Sequence, residues 1–148
     1  MSQKVRMKLI QSLNSFGVNN MKPETKLKYA ILELAAIWND ETISTTLTED
    51  EVEELWDDSE DMYDAISEIR TSGIETGLPG QYSRHYESEE VAVQCPNGDW
   101  VGFTYWHGGG KHGNAEEIDW IEHAYDVECK EEEKLVIVHT FNKKGERL

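Results

Sequence analysis

The chain is predicted to be an α+β protein, with N-terminal helices packed on a C-terminal antiparallel β-meander of about four to five strands. Three observations carry this. Apolar residues recur at helical spacing at Leu27, Ile31, Leu34 and Trp38, and again from Val52 to Ile69. Beyond Gly77, Pro79 and Gly80 the spacing falls to period two. Between two such runs stands Pro96-Asn97-Gly98-Asp99, a hairpin signal. Helices first and strands after is the order of an α+β fold. At 148 residues the chain suffices for one domain with a real core. We divide it into a basic amphipathic segment (1–20), a helical part (22–72) and a sheet part (80–142).

In the first segment Val5, Leu9, Leu13 and Phe16 share one helical face. That face needs burial, so the segment is expected to dock on the body. The next helix opens at Pro23, a residue suited to the first helical position, and closes at Asn39-Asp40. The third is expected to run unbroken from Thr48 to Ile69. Thr48 and Glu51 form a capping box, with Leu47 and Val52 as a hydrophobic staple. Strands are expected at 82–87, 90–95, 100–106, 124–129 and 135–141. A type I′ turn at Asn97-Gly98 would pair Cys95 with Trp100, Val93 with Gly102 and Ala92 with Phe103. Residues 114–123 read as a short helix capped by Asn114, with Ile118 and Ile121 inward. Residues 130–134 read as a second hairpin loop. The expected core is Trp38, Trp56, Ile66, Val93, Phe103, Ile137 and Val138.

Charge is the strongest bulk signal. Thirty acids against 14 bases leave −16. Residues 1–30 hold six bases and one acid, +5; the other 118 hold eight bases and 29 acids, −21. Such a balance repels nucleic acid and anionic membrane and favours a basic partner. Between Glu49 and Glu68 lie 11 acids and no base. The helix dipole accounts for those up to Glu54, but Asp57, Asp58, Asp61, Asp64 and Glu68 repel along a continuous helix. These five, with Trp106, His107 and Lys111, are the candidate partner-binding residues. No apolar run reaches the roughly 20 residues of a membrane span, and the start lacks a signal-peptide core. Cys95 and Cys129 read as free buried thiols. A cytoplasmic setting follows as the expectation, with oligomeric state left open.

The densest aromatic run, Trp100 to His112, empties into Gly108-Gly109-Gly110-Lys111-His112-Gly113. This is not a P-loop: Tyr105 stands where a glycine is needed, His112 where Ser or Thr is needed, and Glu116 and Glu117 would repel an anion. A metal set drawn from His85, His107, His112, His123, Glu87 and Glu116 lacks helical HExxH spacing, and no CxxC exists. No cofactor is called for. The aromatics Tyr82, Tyr86, Trp100, Phe103, Tyr105, Trp106 and Trp120 lack the basic surroundings of a nucleic-acid stacking platform. If the chain is an enzyme, the catalytic candidates are His85, Glu87, Lys111 and His112, histidine titrating near neutral pH without much tuning. That reading, a small enzyme or metal-binding protein around the glycine loop, is the alternative to a binding protein.

Ser83-Arg84-His85-Tyr86-Glu87-Ser88, Trp100-Val101-Gly102 and Thr104-Tyr105-Trp106-His107-Gly108-Gly109-Gly110-Lys111-His112-Gly113 resemble a group of small uncharacterised proteins of tailed bacteriophages and prophages. The resemblance continues through Ile118-Asp119-Trp120 and Glu131-Glu132-Glu133-Lys134 to Thr140-Phe141 and covers roughly residues 70–142. It implies a phage-encoded protein acting in the bacterial host cytoplasm. By analogy with small acidic phage proteins, it also implies one that inhibits or modulates a host protein, such as a nucleic-acid-handling or defence protein approached by nucleic-acid mimicry.

Overall fold

The computed structural model describes residues 21–145. Three helices precede an antiparallel sheet, so the fold is α+β. Helix α1 (Pro23–Trp38) is the centre of the packing. Pro23 opens it, Lys22 contributing no side-chain cap. Leu27, Ala30 and Ile31 face the sheet in one core cluster, while Tyr29 and Leu32 face Val52 and Cys95 in a second. Burial fades along the helix, and Trp38, expected in the core, is 51 % exposed. Among the described residues no element covers its last turn, so helical spacing alone overstated the buried stripe.

Helix α2 (Glu49–Asp58) carries the expected capping box in full: Thr48 Oγ1 accepts from Glu51 N–H, and Glu51 accepts from Thr48 N–H. The Thr48 N–H, with the Thr48 hydroxyl, holds the Glu51 carboxyl below its ordinary range. Leu47 packs against the cluster that contains Val52. The helix does not continue to Ile69. It stops at Ser59, whose hydroxyl donates to Trp56 O, and Asp61 takes a left-handed φ of +53° before α3 (Tyr63–Ser72) begins. The break relieves a charge conflict. An unbroken helix would stack Asp57, Asp61, Asp64 and Glu68 at three- and four-residue intervals, and aspartate is among the few residues that tolerate the left-handed turn.

The sheet order is β1 (Ile74–Glu75), β2 (Glu87–Gln94), β3 (Trp100–His107), β4 (Tyr125–Val127), all neighbours antiparallel. The central hairpin is where expected but slipped by one residue, pairing Gln94 with Trp100, Val93 with Val101 and Val91 with Phe103. Pro96 is the cause. Its fixed φ suits the second position of a type I turn, so the turn begins at Cys95, whose carbonyl accepts from Gly98 N–H at 2.8 Å. Gly98, at φ +96°, then supplies the left-handed residue of a three-residue loop, and Cys95 N–H closes it on Asp99 O.

Other expectations fail. Residues 82–86 form a bend rather than a strand. The far edge of β2 is taken by the two-residue β1, anchored where Thr76 N–H and Oγ1 both donate to Glu90 O. Residues 114–123 make one 3-10 turn (Ala115–Glu117) and no α-helix, Asn114 giving no side-chain cap. Ile121 still packs on the core. Residues 135–141 are irregular, leaving Ile137 and Val138, expected inside, at 84 % and 79 % exposed. Trp56 and Ile66 are half-buried against the core, and Val93 and Phe103 are in it. Among the described residues, no helix is long and apolar enough to cross a membrane. The amphipathic segment 1–20 lies outside the described residues.

Both cysteines are free, Cys95 buried and Cys129 half-buried. They flank β3 from opposite sides, so no disulfide joins them. Burial pushes the Cys95 thiol up to about 12, beyond what a hydrogen bond from Asn97 N–H and nearby Lys26 offset. At pH 8 a thiol reagent is therefore expected to titrate one cysteine in the native protein and two in denaturant. Two fast native equivalents would contradict the burial of Cys95.

Candidate functional site

The glycine loop is held by the bend that precedes β2. Gly108, Gly109, Gly110 and Gly113 all have positive φ, which lets the chain turn tightly through a 3-10 turn (Gly110–His112). Gly109 has a second reason to be glycine. Its backbone rests on the Tyr86 ring, and a Cβ there would lie 2.4 Å from that ring. Tyr86 Oη donates to His112 O at 3.0 Å. This anchorage brings two of the four catalytic candidates together, with the His85 and His112 rings stacked at 3.9 Å and 24°.

The other two are drawn elsewhere. Glu87 lies opposite His107 in the sheet register, its Oε2 3.4 Å from His107 Nδ1. Lys111 is exposed on the loop, without a carboxylate partner among the described residues. Stacked imidazoles aim their ring nitrogens sideways rather than at a shared point, which is a poor start for metal coordination. Among the described residues, no three His, Cys, Asp or Glu gather into a metal-holding group. His123 and Glu116 stand exposed.

At the open end of the sheet a chain of side chains runs from helix α3 to the strand edge. Arg70 donates to Trp106 O and lies over the Tyr105 ring, 5.0 Å from its centroid. Tyr105 stacks on His107 at 5.1 Å. His107 is flanked by Glu87 at Nδ1 and by Glu89 at Nε2, 3.8 Å away. A carboxylate thus stands near each ring nitrogen, and the array links the ends of β2 and β3. Arg70 and Glu89 were missed from sequence. Their signal was register: in the expected pairing His107 faced Ser88, and the one-residue slip moves it opposite Glu87 with Glu89 on the same face.

The partner-binding candidates separate into two surfaces. Asp57, Asp58, Asp61, Asp64 and Glu68, with Glu60, are all exposed around the α2–α3 corner, and none has an ion pair among the described residues. Trp106, His107 and Lys111 belong to the sheet end and loop, where Trp106 and His107 are half-buried. Two lysines of α1 are already committed. Lys28 bridges Glu24 at 3.3 Å and Glu53 at 2.9 Å, and Lys26 bridges Asp99 and Asp126. Fold and surface together define a small α+β protein with an acidic corner that no base among the described residues pairs. No family model, no curated protein and no solved structure matches the chain.

Proposed function

We propose that this chain is an acidic binding protein that engages a basic protein surface through the α2–α3 corner and thereby inhibits or modulates its partner. One observation carries the reading. Six carboxylates, Asp57, Asp58, Glu60, Asp61, Asp64 and Glu68, stand exposed without a neutralising base among the described residues, although the fold neutralises carboxylates elsewhere with Lys26 and Lys28. Asp64 and Glu68, four residues apart on α3, share one face, and Asp57 to Asp61 continue the run of negative charge through the corner. A run of closely spaced negative charge is also what a nucleic-acid strand presents. The corner therefore suits a nucleic-acid-handling partner, and the phage resemblance makes a bacterial host protein the natural one.

Affinity capture from bacterial lysate, repeated across salt concentrations, tests this. Capture should weaken as salt rises, be competed by DNA or RNA, and fall at least tenfold when Asp57, Asp58, Asp61 and Asp64 are changed to Asn. A parallel variant with Trp106→Ala and Lys111→Ala should capture normally. Loss with the second variant alone would move the partner surface to the glycine loop. Capture indifferent to salt and to the four Asn substitutions would end the acidic-corner reading.

A further inference from the structure

The helices cover only one face of the sheet. Val91, Val93, Val101 and Phe103 point into the core beneath them. Strand alternation places Ile74, Ala92, Gly102 and Tyr125 in a row on the opposite face, with Trp100 and Val127 in the next. Ile74, Leu78, Ala92, Trp100, Val127 and Cys129 line a groove there of about 360 Å³. Two buried polar atoms on the same side of the sheet, Trp100 Nε1 and Glu90 Oε2, lack a partner among the described residues. Glu90 is only 7 % exposed, and its other oxygen accepts from the Thr104 and Tyr125 hydroxyls at 3.0 and 2.7 Å. The face thus carries an unfinished apolar surface, an unfilled donor and an unfilled acceptor.

The chain leaves this groove through Glu128, Cys129 and Lys130, which form part of its wall. A few residues later come Leu135, Val136, Ile137, Val138 and Phe141, exposed by 106, 76, 84, 79 and 87 %. A β-branched apolar run with no cover has the composition of a sheet strand and lacks only a sheet.

We propose that residues 135–141 of one copy seat in this groove of a second copy, reciprocally, to form a two-fold dimer. Each copy supplies one apolar segment and one apolar groove, which is the condition for a closed, self-complementary pair. The segment does not turn back into its own groove. Residues 130–134, expected as a hairpin loop, form no turn, and the apolar segment stands exposed outside that groove. Seven residues reach about 23 Å as a strand. Two reciprocal insertions match the scale of a stable interface, about 1,200–2,000 Å² in total. With −16 on each copy, screening should strengthen the dimer, so it tightens with salt where capture of a basic partner weakens. The two proposals therefore stand or fall separately.

Sedimentation equilibrium of the full chain in moderate salt should give twice the chain mass. Ile137→Asp in the segment and Ile74→Asp in the groove should each give the monomer mass. An equimolar mixture of these two variants should regain a dimer, because it restores one intact segment opposite one intact groove. Leu135→Lys, at a fully exposed position, supplies a segment variant that leaves the fold untouched and should also be monomeric. A wild-type monomer up to near-millimolar concentration overturns the proposal. So do a dimer that survives both segment variants, and a mixture that stays monomeric.

Discussion

Replacing Phe103 by alanine is expected to cost about 3–5 kcal/mol of folding stability, the range for deleting a fully buried aromatic from a core. Phe103 has no exposed surface and sits in the apolar layer shared by sheet and helices. Val91 faces it across the hairpin, Leu27 and Ile31 pack in the same cluster, and the Trp120 ring meets it at 4.8 Å and 45°. Tilted aromatic pairs of this kind add to the area term, so alanine loses both the buried ring and its partner. A domain of this size has about 5–15 kcal/mol in total, and such a loss removes a large share of it. Trp38→Ala provides the contrast. Although Trp38 continues the helical stripe of Leu27, Ile31 and Leu34, half its surface is exposed, and its truncation should cost no more than about 1 kcal/mol. Urea denaturation of the two variants measures both numbers. A Phe103→Ala loss as small as that of Trp38→Ala would mean that the core lies elsewhere.

That pair of residues also marks what could be read from the sequence. Local signals with a mechanism survived: Pro23 at the helix start, the Thr48–Glu51 capping box, the hairpin at residues 96–99 and its two central strands. Signals that depend on what lies next to an element did not. Periodicity says that Trp38 and Ile31 share a face, but not that cover ends before Trp38. Two residues, Ile74 and Glu75, form a strand only because β2 offers an edge, and no period exists in a pair. The acidic run appeared as one helix because its apolar spacing continues across residues 59–62, where repulsion and the left-handed Asp61 break it. The candidate site suffered similarly. His85 and His112 meet through the Tyr86–Gly109 contact, a tertiary accident of loop packing, and the His107 array needed a register that Pro96 had shifted by one.

The ion pairs of Lys26 show the same dependence on tertiary placement, and they yield the second large effect. Lys26 lies on α1, yet its ammonium reaches Asp99 in the β2–β3 turn at 3.3 Å and Asp126 in β4 at 2.6 Å. It thus ties the central helix to two parts of the sheet. Burial alone would lower the lysine pKa, but the Asp126 hydrogen bond and the two carboxylate charges outweigh it, and the net shift is upward. Lys26→Met keeps the aliphatic stem and removes the charge. It leaves Asp99 and Asp126 facing each other without their cation, in a chain already at −16. Breaking a fully buried pair costs about 3–5 kcal/mol; with Asp126 more than half exposed, water screens part of that, and about 1.5–3 kcal/mol is expected. The raised pKa fixes the pH signature. A group that holds its proton more tightly when folded contributes fully below its unfolded value. It loses that contribution as pH rises from there through the folded value, a window that opens near 10.5. Lys28, Tyr29 and Tyr125, also raised, lose stability in the same direction, so alkaline weakening should persist in the variant but be shallower. Each proton contributes at most about 1.4 kcal/mol per pH unit. Urea midpoints of the wild type and Lys26→Met should therefore differ clearly at pH 7, and the gap should start to narrow as pH rises above about 10.5. Curves that stay parallel across that range would show that Lys26 acts through packing and not through its charge.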